Sequence, residues 1–421
     1  MAISEVSFPA DGLYSMFNPL TYEVSSNHAD IKKIKCIIYI DGTAINNGSP
    51  IVLDPDLGGS PNFTFDLHKL ISRSGVITHT KPTLGAAVSA VIDASGNSLG
   101  KIRAKFTEVI LSGGLLVDSG SLDTDTAGDN VYVINGGIPH VDHVSSWILP
   151  NYDIKLDVSA NYTYKLLTNS PSRSVGAALN WDSMRKVGAG QDMFLDAYST
   201  YSGAQEIEVR IVTYNEAGSV VQADEVALTN AKSHDRFIIP CGPRNIIATT
   251  WQAATTFDFT NISYYVVAVE RDSDLLATEL HYFYIDRTFD ANKHRTFAFL
   301  NRLGGIDMVN FKGEEFIEQN VKRNIYEKRI EQDYTLGDYG FQAIRNKTET
   351  VHTTYTTALN YAEKLWMQEL YTSPNVWLVE NDNLIPIRTK GEKFRIHQGS
   401  QGDMDLKLQW QLSLEQTIQG N

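Results

Sequence analysis

Two cysteines in a chain of 421 residues exclude a disulfide framework. Cys36 lies within the apolar run 34–40 and Cys241 follows the apolar run 237–240, settings in which an unpaired thiol behaves as a small hydrophobe. Long hydrophobic runs are also missing, since no segment approaches the roughly 20 apolar residues that a membrane-crossing helix requires. The opening residues MAISEVSFPADGLYSMF contain no basic stretch followed by an apolar one. No secretory signal is read there, and soluble synthesis in a reducing cytoplasm is expected. Positive charge is scarce, with 36 Lys and Arg against 50 Asp and Glu and a formal charge of -14. That balance repels polyphosphate and argues against a nucleic-acid partner. The densest early basic cluster, Lys32, Lys33 and Lys35, is interleaved with Ile31, Ile34 and Ile37 and reads as the solvated face of a strand.

Catalytic signatures are equally sparse. The chain has no phosphate-binding Gly-x-x-x-x-Gly-Lys, no His-Glu-x-x-His and no paired Cys-x-x-Cys. Residues 96–100 spell Gly-x-Ser-x-Gly, but 101–106 alternate like another strand where a nucleophile elbow needs a helix, so a hairpin turn is expected. His140, Asp142 and His143 are suitable ligand types for zinc. On a strand, however, His140 and His143 would point to opposite faces, which favours a polar loop after Pro139. Asp118, Asp123, Asp125 and Asp129 fall in a loop-like stretch over 115–130 that lacks the Asp-x-Asp-x-Asp-Gly run and closing Glu of a calcium loop. Asn62, Asn161 and Asn261 match the glycosylation acceptor pattern by chance where no export signal is read. No cofactor and no metal site is implied, and a protein without enzymatic activity is expected. A glycosidase needs only two carboxylates and no local motif, so a carbohydrate-binding or glycan-cleaving β-sandwich protein stands as the alternative. A host-cell adhesin would need the export signal that is not read.

What the chain has in quantity is strand chemistry. Its 20 Tyr and 17 Phe, with only 20% charged residues, favour sheets and contact surfaces, and its length exceeds what one core fills. The fold class read from this is mainly β, with two immunoglobulin/fibronectin-like β-sandwich regions followed by a C-terminal α+β module. The domains are 1–147, 148–300 and 301–421. In the first, 36–40 before Asp41-Gly42, the alternating 62–67, and 88–92 read as strands. In the second, 206–211 alternates, 215–218 turns, 219–226 returns, and 237–240, 246–250, 264–269 and 280–285 add strands. Beyond residue 300 the segment 314–331 is either a polar helix or a long exposed strand. Over 356–371 the residues Leu359, Ala362, Leu365, Trp366 and Leu370 fall at helical spacing before Ser373-Pro374, and 376–379, 384–387 and 405–414 read as strands. Gly304-Gly305 lacks the third glycine and following helix of a phosphate cradle and reads as a sharp turn between domains, together with Asn301 and Arg302.

The run 296–313, TFAFLNRLGGIDMVNFKG, resembles a segment in virion proteins of tailed bacteriophages that infect Bacteroidetes. Residues 363–370, Ser373-Pro374-Asn375-Val376-Trp377 and Leu384-Ile385-Pro386-Ile387 are similar to the C-terminal module of those proteins. The resemblance spans about residues 280–421, and the front half shares only the style. It implies a structural component of the tail, baseplate or collar, located in the virion and synthesised in the host cytoplasm. Its implied partners are copies of itself in a ring-like homo-oligomer and other virion proteins, with a host-surface glycan as a further candidate. No nucleic acid and no membrane insertion is implied, and no catalytic residue comes with the resemblance. Within that picture Phe316, Ile317, Val321, Ile325 and Tyr326, spread along a charged segment, are candidate intersubunit contacts, a plain domain core being the other reading. Residues 111–130 and 135–143 are the candidate recognition loops.

Overall fold

A computed structural model gives the fold of the chain. It describes residues 3–28, 31–54, 62–90, 98–127, 130–137, 164–174, 183–199, 207–228, 235–253, 255–271, 275–276, 278–327, 335, 341–359, 361–390 and 404–413. The chain is mainly β and divides into two compact units, Met1–Ile285 with Asn301–Asp307, and Asp286–Leu300 with Met308–Asn421. This division differs from three domains cut at 147 and 300. The first two expected regions share one unit, and the seven residues Asn301–Asp307 belong to it as well.

In the first unit, alternation builds a sandwich. Tyr22 and Val24 of the strand Thr21–Ser26, with Phe63 and Phe65 of Asn62–Asp66, face inward from a three-stranded sheet. Ile34, Cys36, Ile38 and Ile40 of Ile31–Ile40, with Ile102, Ala104 and Phe106 of Leu99–Ser112, face them from a second sheet. The ring of Phe106 lies 5.3 Å from that of Phe65 and 6.0 Å from that of Tyr22, so the two sheets interdigitate as aligned sandwiches do. Truncating Phe106 to alanine is expected to cost about 3–5 kcal/mol. Asp41 and Gly42 both hold positive φ, 48° and 77°, as a two-residue turn into Thr43–Ala44 demands. Both cysteines are buried and free, and burial pushes each thiol well above its ordinary range.

A third sheet in this unit runs in the order Arg173–Ser174, Leu280–Ile285, Tyr264–Arg271, Ile207–Tyr214, Val220–Ala227. Tyr265, Val266, Val267, Ala268 and Val269 are all buried, because this strand is covered on both faces and carries an unbroken apolar run. Its Tyr265 ring stacks on Phe283 at 5.0 Å. Phe194–Ser199 and Asp235–Pro240 form a separate two-stranded sheet.

Three expectations are corrected here. Residues 115–127 of the expected loop 115–130 are not a loop: Leu115–Asp123 is a strand paired with Leu99–Ser112, followed by the single turn Thr124–Ala127, and 128–129 lie outside the described residues. Its first five residues are solvated on both faces, so no apolar alternation marks it, and beside the backbone ladder it is held by Asp118 on Lys35, Asp123 on Arg103 and the half-buried Leu122. Residues 246–250 are not a strand, because Pro243 opens a short helix, Pro243–Ile247, and Asn245 Oδ1 accepts the Gly242 N–H at 2.9 Å to cap it. At 88–90 the chain turns, with Val88 N–H donating to Thr249 Oγ1 at 2.8 Å, and 91–92 lie outside the described residues.

The second unit is a sheet in the order Ile306–Phe311, Arg295–Leu300, Val376–Glu380, Asn383–Thr389, Met404–Leu412, Phe341–Leu359, Glu315–Glu327, with one helix, Tyr361–Thr372. Its two end strands are joined by only Lys312, Gly313 and Glu314, so the sheet must curl until its ends nearly meet. The rings agree. Phe297 and Trp410 lie three strands apart, which a flat sheet would hold at about 14 Å, yet their centroids are 5.8 Å apart. Inside the curl, Trp366, Met367 and Leu370 of the helix join Phe297, Phe299, Phe311 and Trp410 in one core. The helix begins at Tyr361 rather than 356, because Thr354 and Thr356 pair with Leu408 and Leu406 and extend the preceding strand. Leu365, expected on its inner face, is exposed.

Candidate functional site

Residues 301–307 form a clamp in which nearly every polar atom has a partner. Asn301 Nδ2 donates to Leu167 O at 2.6 Å and to Asp307 Oδ2 at 3.0 Å, while its Oδ1 accepts the Leu303 and Gly305 amides at 3.0 and 2.9 Å. The turn closes with Gly304 N–H donating to Asn301 O at 3.1 Å, and Arg302 O accepts the Gly137 amide at 2.6 Å. Gly304 has φ +90°, and a Cβ there would collide with Asn135 O; a Cβ on Gly305 would collide with Leu167 O. Both glycines are therefore fixed by conformation and by close backbone approach.

The clamp ends in buried charge. Asp307 Oδ1 accepts from Thr168 Oγ1 at 2.7 Å and from the Arg185 guanidinium at 3.0 Å, with both charged side chains almost fully buried. Asp196 accepts from Arg236 Nε at 2.6 Å and from the Ile306 amide at 2.5 Å. Burial pushes the Asp196 carboxyl up, against the pull of Arg236 and of that amide. Nearby, His281 is fully enclosed; burial holds its pKa below the ordinary value despite Glu279 at 3.5 Å. The charges are matched and enclosed, which is structural chemistry rather than an open reaction centre. Asn301, Arg302, Gly304 and Gly305 stood out in the sequence. Arg185, Asp196, Arg236 and Thr168 did not, because a buried ion pair leaves no local pattern.

Eight residues after the clamp, the strand Glu315–Glu327 pairs with Phe341–Leu359 from Glu315 opposite Thr354 to Glu327 opposite Phe341. Met404–Leu412 supports the same long strand only from His352 onward. Among the described residues, 318–327 with 341–351 therefore extend from the curled sheet as a two-stranded arm of about 30 Å. Its root is anchored: Glu315 accepts from Arg295 Nε at 2.9 Å and lies 2.9 Å from His352 Nδ1, and Glu349 holds Lys390 at 2.9 Å and Gln411 at 2.6 Å. Beyond the root the apolar side chains stand in solvent. Phe316, Ile317, Val321 and Ile325 are 50, 59, 51 and 60% exposed. The Phe316 ring meets Tyr355 edge-on at 5.9 Å. Tyr326 lies on the strand, its side chain outside the described residues. Among the described residues no strand pairs with the outer edge of Glu315–Glu327. The reading of these residues as a domain core is thus excluded for the four whose burial is described.

The other candidates divide. Asp118 pairs with Lys35 at 2.6 Å, Asp123 with Arg103, and Asp125 lies 3.8 Å from Lys101, so these carboxylates face cations. Asp129, His140, Asp142 and His143 lie outside the described residues, as do 138–143 of the second recognition loop. The first recognition segment is a hairpin whose tip exposes Leu111, Leu115, Leu116 and Val117 around Gly113-Gly114. The uncharged run 109–117 was the signal for it.

No protein-family model matches the chain, and no curated protein matches it in sequence. Among solved structures, the chain is similar to the fibronectin(III)-like modules of Clostridium thermocellum CbhA, at 11% identity over 68% of this chain and 96% of that one, with a TM-score of 0.17. It is similar to a structure of a 1.5-MDa bacterial ice-binding adhesin at 7% identity over 97% and 96%, TM-score 0.18. Rst D1-D2 gives 7% identity over 68% and 100%, TM-score 0.20. At these TM-scores the likenesses carry no argument, and the fold rests on the sheets themselves.

Proposed function

We propose that this chain is a non-enzymatic structural subunit of a phage virion, in the tail, baseplate or collar, that assembles into a closed symmetric oligomer through the arm formed by Glu315–Glu327. The observation that carries the reading is the arm. A two-stranded ribbon is marginal in water by itself, and this one presents an open backbone edge and a row of exposed apolar side chains. Such a feature gains stability only when another chain covers it, and repetition of one modest contact around a symmetry axis makes a rigid assembly. The resemblance of residues 296–313, 363–370, 373–377 and 384–387 to virion proteins supplies the setting. The clamp adds support of another kind, since the most distinctive motif of the chain is spent on internal rigidity.

The test is direct. Purified protein, alone and with its neighbouring virion proteins, is imaged by negative stain, and purified virions are probed with antibody to the chain. A discrete oligomer and decoration at one position on the particle are expected. A chain that stays single in every mixture, is absent from virions and binds or cleaves a glycan would overturn the reading and put the sugar-active alternative first.

A further inference from the structure

The five apolar residues of the arm strand are placed symmetrically in its sequence. Ile317 and Ile325 lie four residues to either side of Val321, and Phe316 and Tyr326 lie five residues to either side. The register along Glu315–Glu327 is regular, because the one irregularity, between Asn324 and Ile325, inserts its extra residue in the partner strand: Asn324 faces Arg345 and Ile325 faces Ala343. With strand positions alternating between faces, positions 317, 321 and 325 belong to one face of the strand, and positions 316 and 326 belong to the other.

We propose that the outer edge of Glu315–Glu327 pairs antiparallel with the same edge of a second copy of this chain, about a two-fold axis at Val321. This rests on the assembly reading above and names the partner of the same surface. In that register Val321 faces Val321 of the second copy, Ile317 faces the second copy's Ile325, and Phe316 faces the second copy's Tyr326. All five apolar positions acquire apolar partners at once. Polar positions also match: Gln319 faces Arg323, Asn320 faces Lys322, and Glu318 faces Asn324, so no like charges face each other directly within 316–326. Lys322 falls diagonal to the second copy's Glu318 on one side, an opposite-charge contact that the two-fold axis repeats, and to the second copy's Lys322 on the other. Moving the axis by one residue, to Lys322, would set Val321 against Arg323 and Ile317 against Glu327, and moving it to Asn320 would set Val321 against Gln319. Only the axis at Val321 satisfies both faces. The contact is isologous, as a two-fold interface must be, and the backbone ladder supplies its affinity.

Cysteine cross-linking tests this on the full chain, whose own Cys36 and Cys241 are fully buried. Val321→Cys oxidised with copper phenanthroline should give a disulfide-linked dimer as its main product. Ile317→Cys alone should not, since its two copies would lie about 26 Å apart, whereas Ile317→Cys mixed with Ile325→Cys should link. Val321→Asp, which puts two carboxylates face to face, should weaken self-association by about tenfold or more. If the wild-type chain forms oligomers but Val321→Cys does not link, the two-fold seam is wrong and the assembly reading stands. If the wild-type chain is a monomer at every concentration, the two-fold seam is wrong, and if it also stays single in every mixture with its neighbouring virion proteins, both are wrong.

Discussion

The clamp at Asn301–Asp307 and the arm at Glu315–Glu327 are separated by seven residues, and they treat polar and apolar groups in opposite ways. In the clamp, side-chain amide, backbone and buried carboxylate are all paired inside, and two glycines remove any space for change. In the arm, among the described residues, the backbone is paired along one edge only and Phe316, Ile317, Val321 and Ile325 are exposed. A site whose bonds all close internally can only hold the chain in shape. A site whose bonds stop half-way has a remaining capacity that another molecule can fill. The motif most visible in the sequence is of the first kind, and the charged segment that follows it is of the second.

Substitutions should separate the two regions, beginning with the clamp. Gly305→Val drives a branched side chain into Leu167 O and its Cβ, at a backbone pinned on both sides. It should cost more than about 4 kcal/mol, seen as loss of soluble protein or of the cooperative urea transition. Arg185→Met leaves Asp307 buried without its cation and should cost about 3–5 kcal/mol in the same measurement. The double change Arg185→Met with Asp307→Asn should recover part of that loss, because the unpaired buried charge is then gone while an oxygen remains at 307 to accept from Thr168 or Asn301. On the arm, Val321→Asp should change the stability of the monomer by no more than about 0.5 kcal/mol. A loss of several kcal/mol instead would place Val321 in a core and erase the contrast. The smallest effect lies at the arm root, where the bonds from Lys390 and Gln411 lower the Glu349 carboxyl from 4.5 to about 2. A carboxyl so lowered contributes stability above pH 4.5 that is lost as the pH falls toward 2. The protection of the amides at 348–351, taken relative to their intrinsic exchange rates at each pH, should therefore fall over that interval in the wild type, and Glu349→Gln should remove that fall in protection.

Much of the β architecture was legible because alternation reports a half-buried strand. The hairpin Ile207–Tyr214 with Val220–Ala227, the Asp41-Gly42 turn and the closing strand Met404–Leu412 were readable in this way. Alternation fails where burial is the same on both faces. Leu115–Asp123, whose first five residues are solvated on both sides, read as a loop for that reason. The curl of the last sheet was hidden because nothing in the local pattern says that Phe297 and Trp410 meet. Of the candidate residues, the five apolar positions of the arm were conspicuous in a charged segment. Whether they formed a core or a surface depended on how far Met404–Leu412 runs beside Phe341–Leu359, a long-range pairing no short window contains.

Light scattering of the full chain across a wide concentration range, beside Val321→Asp, tests the central claim most directly. Assembly through the arm predicts a discrete species of at least two copies for the wild type and a monomer of 46.9 kDa for the variant, both equally folded. Equal masses for the two proteins, whether both single or both assembled, would contradict it.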